Sequence, residues 1–208
     1  MEWKRFPLGL LWTNGYLLWG QDKVGFFVDP GGDPREVVQW IEEREISLYA
    51  VVLTHGHADH IAGAAALSSR FGSQVWIHPE DEEMLSRGDK NLSIQLGADC
   101  PPVEATGYLK DGVALSVGTL MLSVIHTPGH TRGSCCILVR DGDQKLLLAG
   151  DTLFARSIGR TDLPGSVPQF MEASLARLAV LNSDLLVLPG HGPETTIGIE
   201  KRENPFLS

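Results

Sequence analysis

The sequence predicts an α/β (α+β) chain with two β-sheets packed together and helices on their outer faces. Three observations lead there. Short apolar runs bounded by Gly, Pro and Asp recur along the chain, strands alternate with amphipathic helices over residues 24–87, and a run of strands fills residues 114–151 before a last helix and strand. That order fits stacked sheets with outer helices without compelling them. The 208 residues suit one compact domain spanning 1–208.

Each element has a local reason. "YLLWG" and "VGFFVDPGG" read as strands joined at Gln21-Asp22, the second closed by Pro30-Gly31-Gly32. Asp33 is placed to cap a helix over "REVVQWIEERE", with Pro34 at its first position. "LYAVVLT" is a continuous apolar run, as in a strand buried on both faces. "IAGAAALSSRFG" reads as a helix ending at Gly72, "QVWIH" as a strand, and "PEDEEMLSR" as a helix with acids in its first turn. Residues 88–110 carry no clear period and are expected to form a long irregular loop, a length often put to functional use. "ALSVG", "LMLSVIHT", "SCCILVR" and "KLLLAGD" follow as strands, then "VPQFMEASLARLAVL" as a helix and "DLLVLPG" as the final strand.

Composition narrows the functional classes. A net charge of -9 argues against a non-specific nucleic-acid binder, which needs a basic face. The polar start "MEWKRF" and the absence of a long apolar stretch predict neither a secretory leader nor a membrane span. Three cysteines, Cys100, Cys135 and the adjacent Cys136, form no disulfide framework and no C-x-x-C site, so a cytoplasmic protein is expected.

The histidines carry the chemistry. "VVLTHGHADHIAG" puts His55, His57, Asp59 and His60 where a buried strand gives way to a helix. Imidazole and carboxylate are ligands for zinc or another first-row cation, and strand-to-helix turns are where α/β sheets bind ligands. Three more strand exits offer the same residue types beside Gly or Pro: His130 in "TPGHT", Asp151 in "AGDTLF" and His191 in "LPGHG". Any one of these would pass as a capping or surface residue; five of the seven histidines and two aspartates on four such turns point to a metal centre. His78 and His126 each stand alone and are read as structural.

THGHADH, TPGHT, GDTLF and PGHG resemble the metal-binding motifs of the metallo-β-lactamase-fold superfamily, and "GDTLFARSIGRTDLPG" with "ENPFL" resembles its glyoxalase II (hydroxyacylglutathione hydrolase) group. The resemblance implies a four-layer αβ/βα sandwich of two mixed sheets. It also implies a pair of divalent metal ions, zinc or else iron or manganese. His55, His57 and His130 would hold one, Asp59, His60 and His191 the other, and Asp151 would bridge them. The implied activity is hydrolysis of a small-molecule thioester, an acyl-glutathione-like compound, by a metal-bridging hydroxide that Asp59 orients. Full-length glyoxalase II enzymes carry a longer C-terminal helical region that grips glutathione. Here Lys201 and Arg202 are candidates to meet a substrate carboxylate, and Arg160 either lines the pocket or pairs with Asp162.

"GRTD" also resembles the persulfide dioxygenases of the superfamily, in which one iron is held by two His and one Asp, here His55, His130 and Asp151. A metal-binding module without activity has no evident use for seven intact ligands. The acidic chain argues against RNA cleavage, and the lack of a leader against β-lactam hydrolysis.

Overall fold

The structure, a computed structural model, describes residues 1–207. Strands β1 (Glu2–Leu8), β2 (Thr13–Trp19) and β3 (Val24–Val28) form an antiparallel meander. Helix α1 (Arg35–Glu43) crosses over to β4 (Ser47–Val52), parallel to β3. Helices α2 (Ala58–Ile61) and α3 (Ala64–Phe71) lead to β5 (Gln74–Ile77), and a 3-10 helix (Pro79–Leu85) and α4 (Ser93–Leu96) lead to β6 (Gly107–Tyr108). Together β1 to β6 make the first sheet, in sequence order. Strands β7 (Ala114–Val117), β8 (Leu120–His126), β9 (Cys135–Asp141) and β10 (Gln144–Gly150) run antiparallel in the second. The short hairpin β11 (Leu153–Phe154) and β12 (Ser157–Ile158) and helix α5 (Met171–Ala179) precede β13 (Leu186–Pro189), parallel to β10. Strand β14 (Thr195–Thr196) and helix α6 (Ile197–Glu203) complete the chain. Both sheets are therefore mixed, with helices outside, the sandwich that the motif resemblance implies.

Alternation along the strands builds the layers. Tyr16, Leu18 and Phe26 point between the sheets, against Leu120, Ile137 and Leu146, whereas Leu17 and Phe27 point outward beneath Val37, Ile41 and Leu67. On the far side Leu147 and Val187 pack under Leu175 and Leu178 of α5. Cys135 and Cys136 take opposite faces of β9 as buried free thiols, and Cys100 is half-buried.

Several expected boundaries shift. Residues 61–72 do not form one helix: α2 closes at Ile61 and α3 opens after Gly63, whose Cβ would meet the Gly32 carbonyl, so the chain bends where β3's exit loop presses on it. Asp33 accepts from the Arg35 amide at 3.1 Å, but it sits one residue before the cap position, which Pro34 occupies. "PEDEEMLSR" winds as a 3-10 helix because the Asp81 side chain is drawn inward to bond neighbouring loops. The polar strand β1 lacks an apolar run and was not expected; it is an edge strand that buries Phe6 and Leu8 on one core and packs the half-buried Trp3 against the other. Residues 88–110 are irregular apart from α4 and β6. No described helix is long and apolar enough to cross a membrane.

Candidate metal centre

Every ligand-type residue leaves the carboxyl end of a strand. His55 follows β4, His130 follows β8, Asp151 follows β10 and His191 follows β13. Asp59 and His60 lie in the single turn of α2, so a helical turn brings them back beside His55. The two sheets are joined at this end, where the Cys135 amide donates to the Thr54 carbonyl and the Asn14 amide to that of Gly190. Side-chain ligand atoms converge in three groups: His55 with His57 and His130, His55 with His60 and Asp151, and Asp59 with His60 and His191, each within 4.8 Å. Asp151 reaches both sides. Its Oδ1 is 3.3 Å from His60 Nε2, and its Oδ2 is 3.6 Å from both His130 Nε2 and His191 Nε2. Asp59 Oδ2 lies 3.3 Å from His191 Nε2 and accepts from Thr13 Oγ1 at 3.2 Å.

Partners behind the rings fix their tautomers. Asp29, buried at the exit of β3, accepts from the Thr54 amide at 2.8 Å, from Thr54 Oγ1 at 2.6 Å and from His60 Nδ1 at 2.9 Å. Because the Thr54 hydroxyl proton goes to Asp29, Thr54 Oγ1 accepts from His55 Nδ1 at 3.2 Å. His130 Nδ1 donates to the Arg160 carbonyl at 2.7 Å. Each arrangement engages Nδ1 and turns Nε2 toward the cluster, the usual way a protein orients imidazole ligands.

The electrostatics follow from crowding. Burial, reinforced by neighbouring imidazoles, pushes the His55 pKa far down and that of His57 to about 3, which keeps both rings neutral. His60 is equally buried, yet Asp151, Asp59 and Asp29 around it overcome that penalty and raise its pKa. Burial would raise Asp59, but His60 and His191 hold it below the usual carboxylate range, and Asp151 is lowered against its burial by His60. Among the described residues, His55 Nε2, His57 Nε2 and Asp151 Oδ1 are buried side-chain atoms with no hydrogen-bond partner. Buried lone pairs left unmet are costly and uncommon, and here they belong to groups that converge. A divalent cation answers what these atoms lack, so the residues fit such a group.

The centre floors a cleft of about 410 Å³ walled by Leu11, Leu92, Leu96, Phe154, Ile158 and Leu163. Of the three basic residues considered for substrate, Arg160 lines this cleft, with its guanidinium held by Asp162 through bonds of 2.7 and 2.8 Å. Lys201 and Arg202 are exposed on α6 and are not among the residues lining it. His78 and His126 stay apart from the cluster, stacked on each other at 4.0 Å; His78 Nδ1 accepts from the Glu80 amide and His126 Nε2 donates to the Arg132 carbonyl.

Sequence reasoning missed the groups that hold the loops. Asp81 accepts from the Gly56 amide at 3.0 Å, Thr131 Oγ1 at 2.6 Å and the Gly133 amide at 2.7 Å, joining the His55–His57 turn to the His130 turn. Asn14 Nδ2 donates to the Pro189 and Gly192 carbonyls, and Tyr16 Oη to that of Pro189, fixing the His191 turn. Gly190 is obligatory there, since a Cβ would come within 2.3 Å of Asp151 Oδ1. For Asp29 a signal existed: "FFVDPGG" is one more carboxylate at an apolar strand's exit.

Comparison with known proteins places this geometry. The sequence pattern described as Metallo-beta-lactamase superfamily matches residues 9–191. Hydroxyacylglutathione hydrolase GloC of Haemophilus influenzae is 33% identical, with 97% of this chain and 96% of that protein covered. The crystal structure of BLEG-1 B3 metallo-beta-lactamase superposes with a TM-score of 0.92 at 37% identity, over the full length of both chains. TTHA1623 in a di-iron-bound form gives 0.88 at 34%, covering 98% of this chain and 100% of that one. ETHE1 from Myxococcus xanthus gives 0.79 at 30%, covering 99% and 84%.

Proposed function

The chain belongs to the metallo-beta-lactamase superfamily, and from that premise we propose that it is a binuclear metallohydrolase cleaving a small-molecule thioester of the acyl-glutathione type. The observation that carries the reading is the convergence of seven ligand side chains, three with buried unpartnered atoms, on the floor of one cleft. Full-length similarity to hydroxyacylglutathione hydrolase GloC supports the thioester.

His55, His57 and His130 would hold one divalent cation and Asp59, His60 and His191 the other, with Asp151 between them. Zinc is the cation proposed; the di-iron form of a structural neighbour makes iron the alternative. Bound cations supply a nucleophile from water at neutral pH and a Lewis acid for the scissile carbonyl. The chain's own groups set the stage for that chemistry. Asp59 stays ionised and, steadied by Thr13, presents an acceptor at the cleft floor that orients the attacking water. Asp29 and the Arg160 carbonyl hold His60 and His130 by Nδ1, with Nε2 turned toward the cluster. The apolar walls keep bulk water from the reacting carbonyl.

A second reading rests on the "GRTD" stretch, whose Arg160 lines the cleft, and on the likeness to ETHE1. It has His55, His130 and Asp151 holding one iron for oxidation of glutathione persulfide by O₂. The test is elemental analysis of purified protein together with a panel of S-lactoylglutathione, glutathione persulfide in an oxygen electrode, and a β-lactam, the last prompted by BLEG-1. Two equivalents of metal with thioester cleavage is the expected result. One iron with oxygen uptake would establish the second reading, and activity on the β-lactam alone would defeat both.

A further inference from the structure

Two cavities meet at a wall made by Leu11 and Leu96. One is the 410 Å³ catalytic cleft. The other, of about 290 Å³, lies behind those two side chains, and apart from Asp59 and Asp99 every residue lining it is Gly, Ala or Leu. Asp59 also belongs to both, so the second cavity begins beside the reacting centre. The dividing wall is slight. Leu11 stands in the turn between β1 and β2, where Leu10 and Trp12 are also strongly exposed (70% and 73%), and Leu96 ends the single turn of α4, whose Ile94 is 71% exposed. Leu10 and Leu11 line the second cavity while 70% and 48% exposed, and large apolar side chains held toward water at a cavity are unusual unless something apolar meets them.

The polar inventory points the same way. The one cation lining the catalytic cleft, Arg160, is already engaged by Asp162, and the second cavity is lined by no cation. An anionic acyl group would meet only Asp59 and Asp99 as charged neighbours in the second cavity. A methylene chain loses nothing there and gains from burial.

Resting on the reading as a thioester hydrolase, we propose that the acyl half of the substrate is an unbranched apolar chain, running from the metal centre between Leu11 and Leu96 into the Gly/Ala-lined cavity. Selectivity then depends on chain length. Each added methylene raises affinity by about three- to fourfold until the second cavity is full. Ala98, half-buried on that cavity's lining, gates its depth.

The test compares S-acetyl-, S-butanoyl- and S-decanoylglutathione as substrates, and S-butyl- and S-decylglutathione as non-cleavable ligands by calorimetry, in the wild type and in Ala98→Phe and Ala62→Leu. The expected result is a kcat/KM that climbs steeply with chain length, tighter binding of the decyl than of the butyl ligand, and loss of both advantages in Ala98→Phe or Ala62→Leu with acetyl turnover unchanged. Equal kcat/KM across the acyl series, or a decyl ligand bound no tighter than butyl, would overturn the acyl site while leaving the hydrolase standing. If no thioester is cleaved, the hydrolase reading falls, and the calorimetric comparison alone decides the apolar site.

Discussion

Asp81 is the most demanding single test of how the centre is held. Its carboxylate is 1% exposed and serves three donors on two loops, the Gly56 and Gly133 amides and Thr131 Oγ1. Burial pushes its pKa up while those donors pull it down. Asp81→Ala removes every acceptor. Thr131 keeps a partner in Ser134 Oγ at 2.7 Å, so two buried amides are left unmet. Each costs about 1–3 kcal/mol, and water entering from the adjoining cavity that Asp81 lines favours the lower half of the sum, about 2–4 kcal/mol. With m about 2–3 kcal/mol/M for urea, the unfolding midpoint of the metal-free protein falls by about 1–2 M. Asp81→Asn is milder. One amide oxygen serves Gly133 and the Thr131 hydroxyl can turn to accept from the new NH₂, which leaves only the Gly56 amide unmet, at about 1–3 kcal/mol. Zinc competition against a chelator reads the second consequence: the turns bearing His55, His57 and His130 lose their common tie, and affinity drops by about 10- to 100-fold, as when other supports behind metal ligands are removed. An Ala variant with an unmoved midpoint and full zinc affinity would refute the reasoning.

Other predictions concern neighbouring supports. Asp29→Asn puts an NH₂ among three donors and unsettles the Nε2 lone pair of His60, so zinc affinity falls by about 10- to 100-fold with the fold retained by circular dichroism; an unaltered binding isotherm would contradict this. Zinc at about a hundredfold over its Kd stabilises the wild type by about 2.7 kcal/mol for each site filled, seen as a rise in Tm that chelation reverses, whereas Asp151→Ala shows a smaller rise; an equal rise in both would remove Asp151 from the centre. His78 has its pKa lowered to about 4 by burial and by the stacked His126, so the unfolded chain binds the proton more tightly. Its contribution is intact above pH 6.5 and is lost as pH falls toward 4, amounting to about 1–2 kcal/mol after allowance for solvent screening. His78→Asn preserves an acceptor for the Glu80 amide and flattens the acid limb of a Tm-against-pH curve; an unchanged limb would show that other groups govern it.

Much of the fold and the candidate site was legible because both rest on local signals. Strand exits with Gly or Pro beside His or Asp can be read one at a time, and all seven expected ligand-type residues come together. What escaped was whatever depends on distant partners. Strand β1 has a polar sequence and owes its place to pairing with β2 through the register Phe6↔Gly15. Asp81 looked like a helix-dipole acid because "PEDEE" gives no hint that one of its carboxylates turns inward to meet Gly133, 52 residues away. Asn14 and Tyr16 sit in an apolar strand as ordinary strand residues, and only the return of the chain at Pro189 gives them acceptors. Helix α6 was lost among charges, yet its buried Glu200 binds Thr195 Oγ1 and the Arg156 amide, tying the chain's end to the loop after β11.

These supports divide the centre in a telling way. The first sheet supplies His55, His57, Asp59 and His60, and the second supplies His130, Asp151 and His191, so each of the three converging groups draws on both sheets. Relative placement of the sheets is governed mainly by the core between them, from Tyr16 and Phe26 to Ile137 and Leu146, and side-chain packing of that kind sets position without regard to polar geometry. The loops need finer control, and hydrogen bonds that cross between the sheets provide it: Asp81 to Gly133, Asn14 to Pro189, and the Cys135 amide to the Thr54 carbonyl. All three are buried, where directional bonds are strongest and a displaced loop leaves a donor or acceptor unmet. The polar groups in this core are thus arranged so that the cost of misplacing a loop falls on atoms outside the cluster, while the ligand-type atoms are left to face one another.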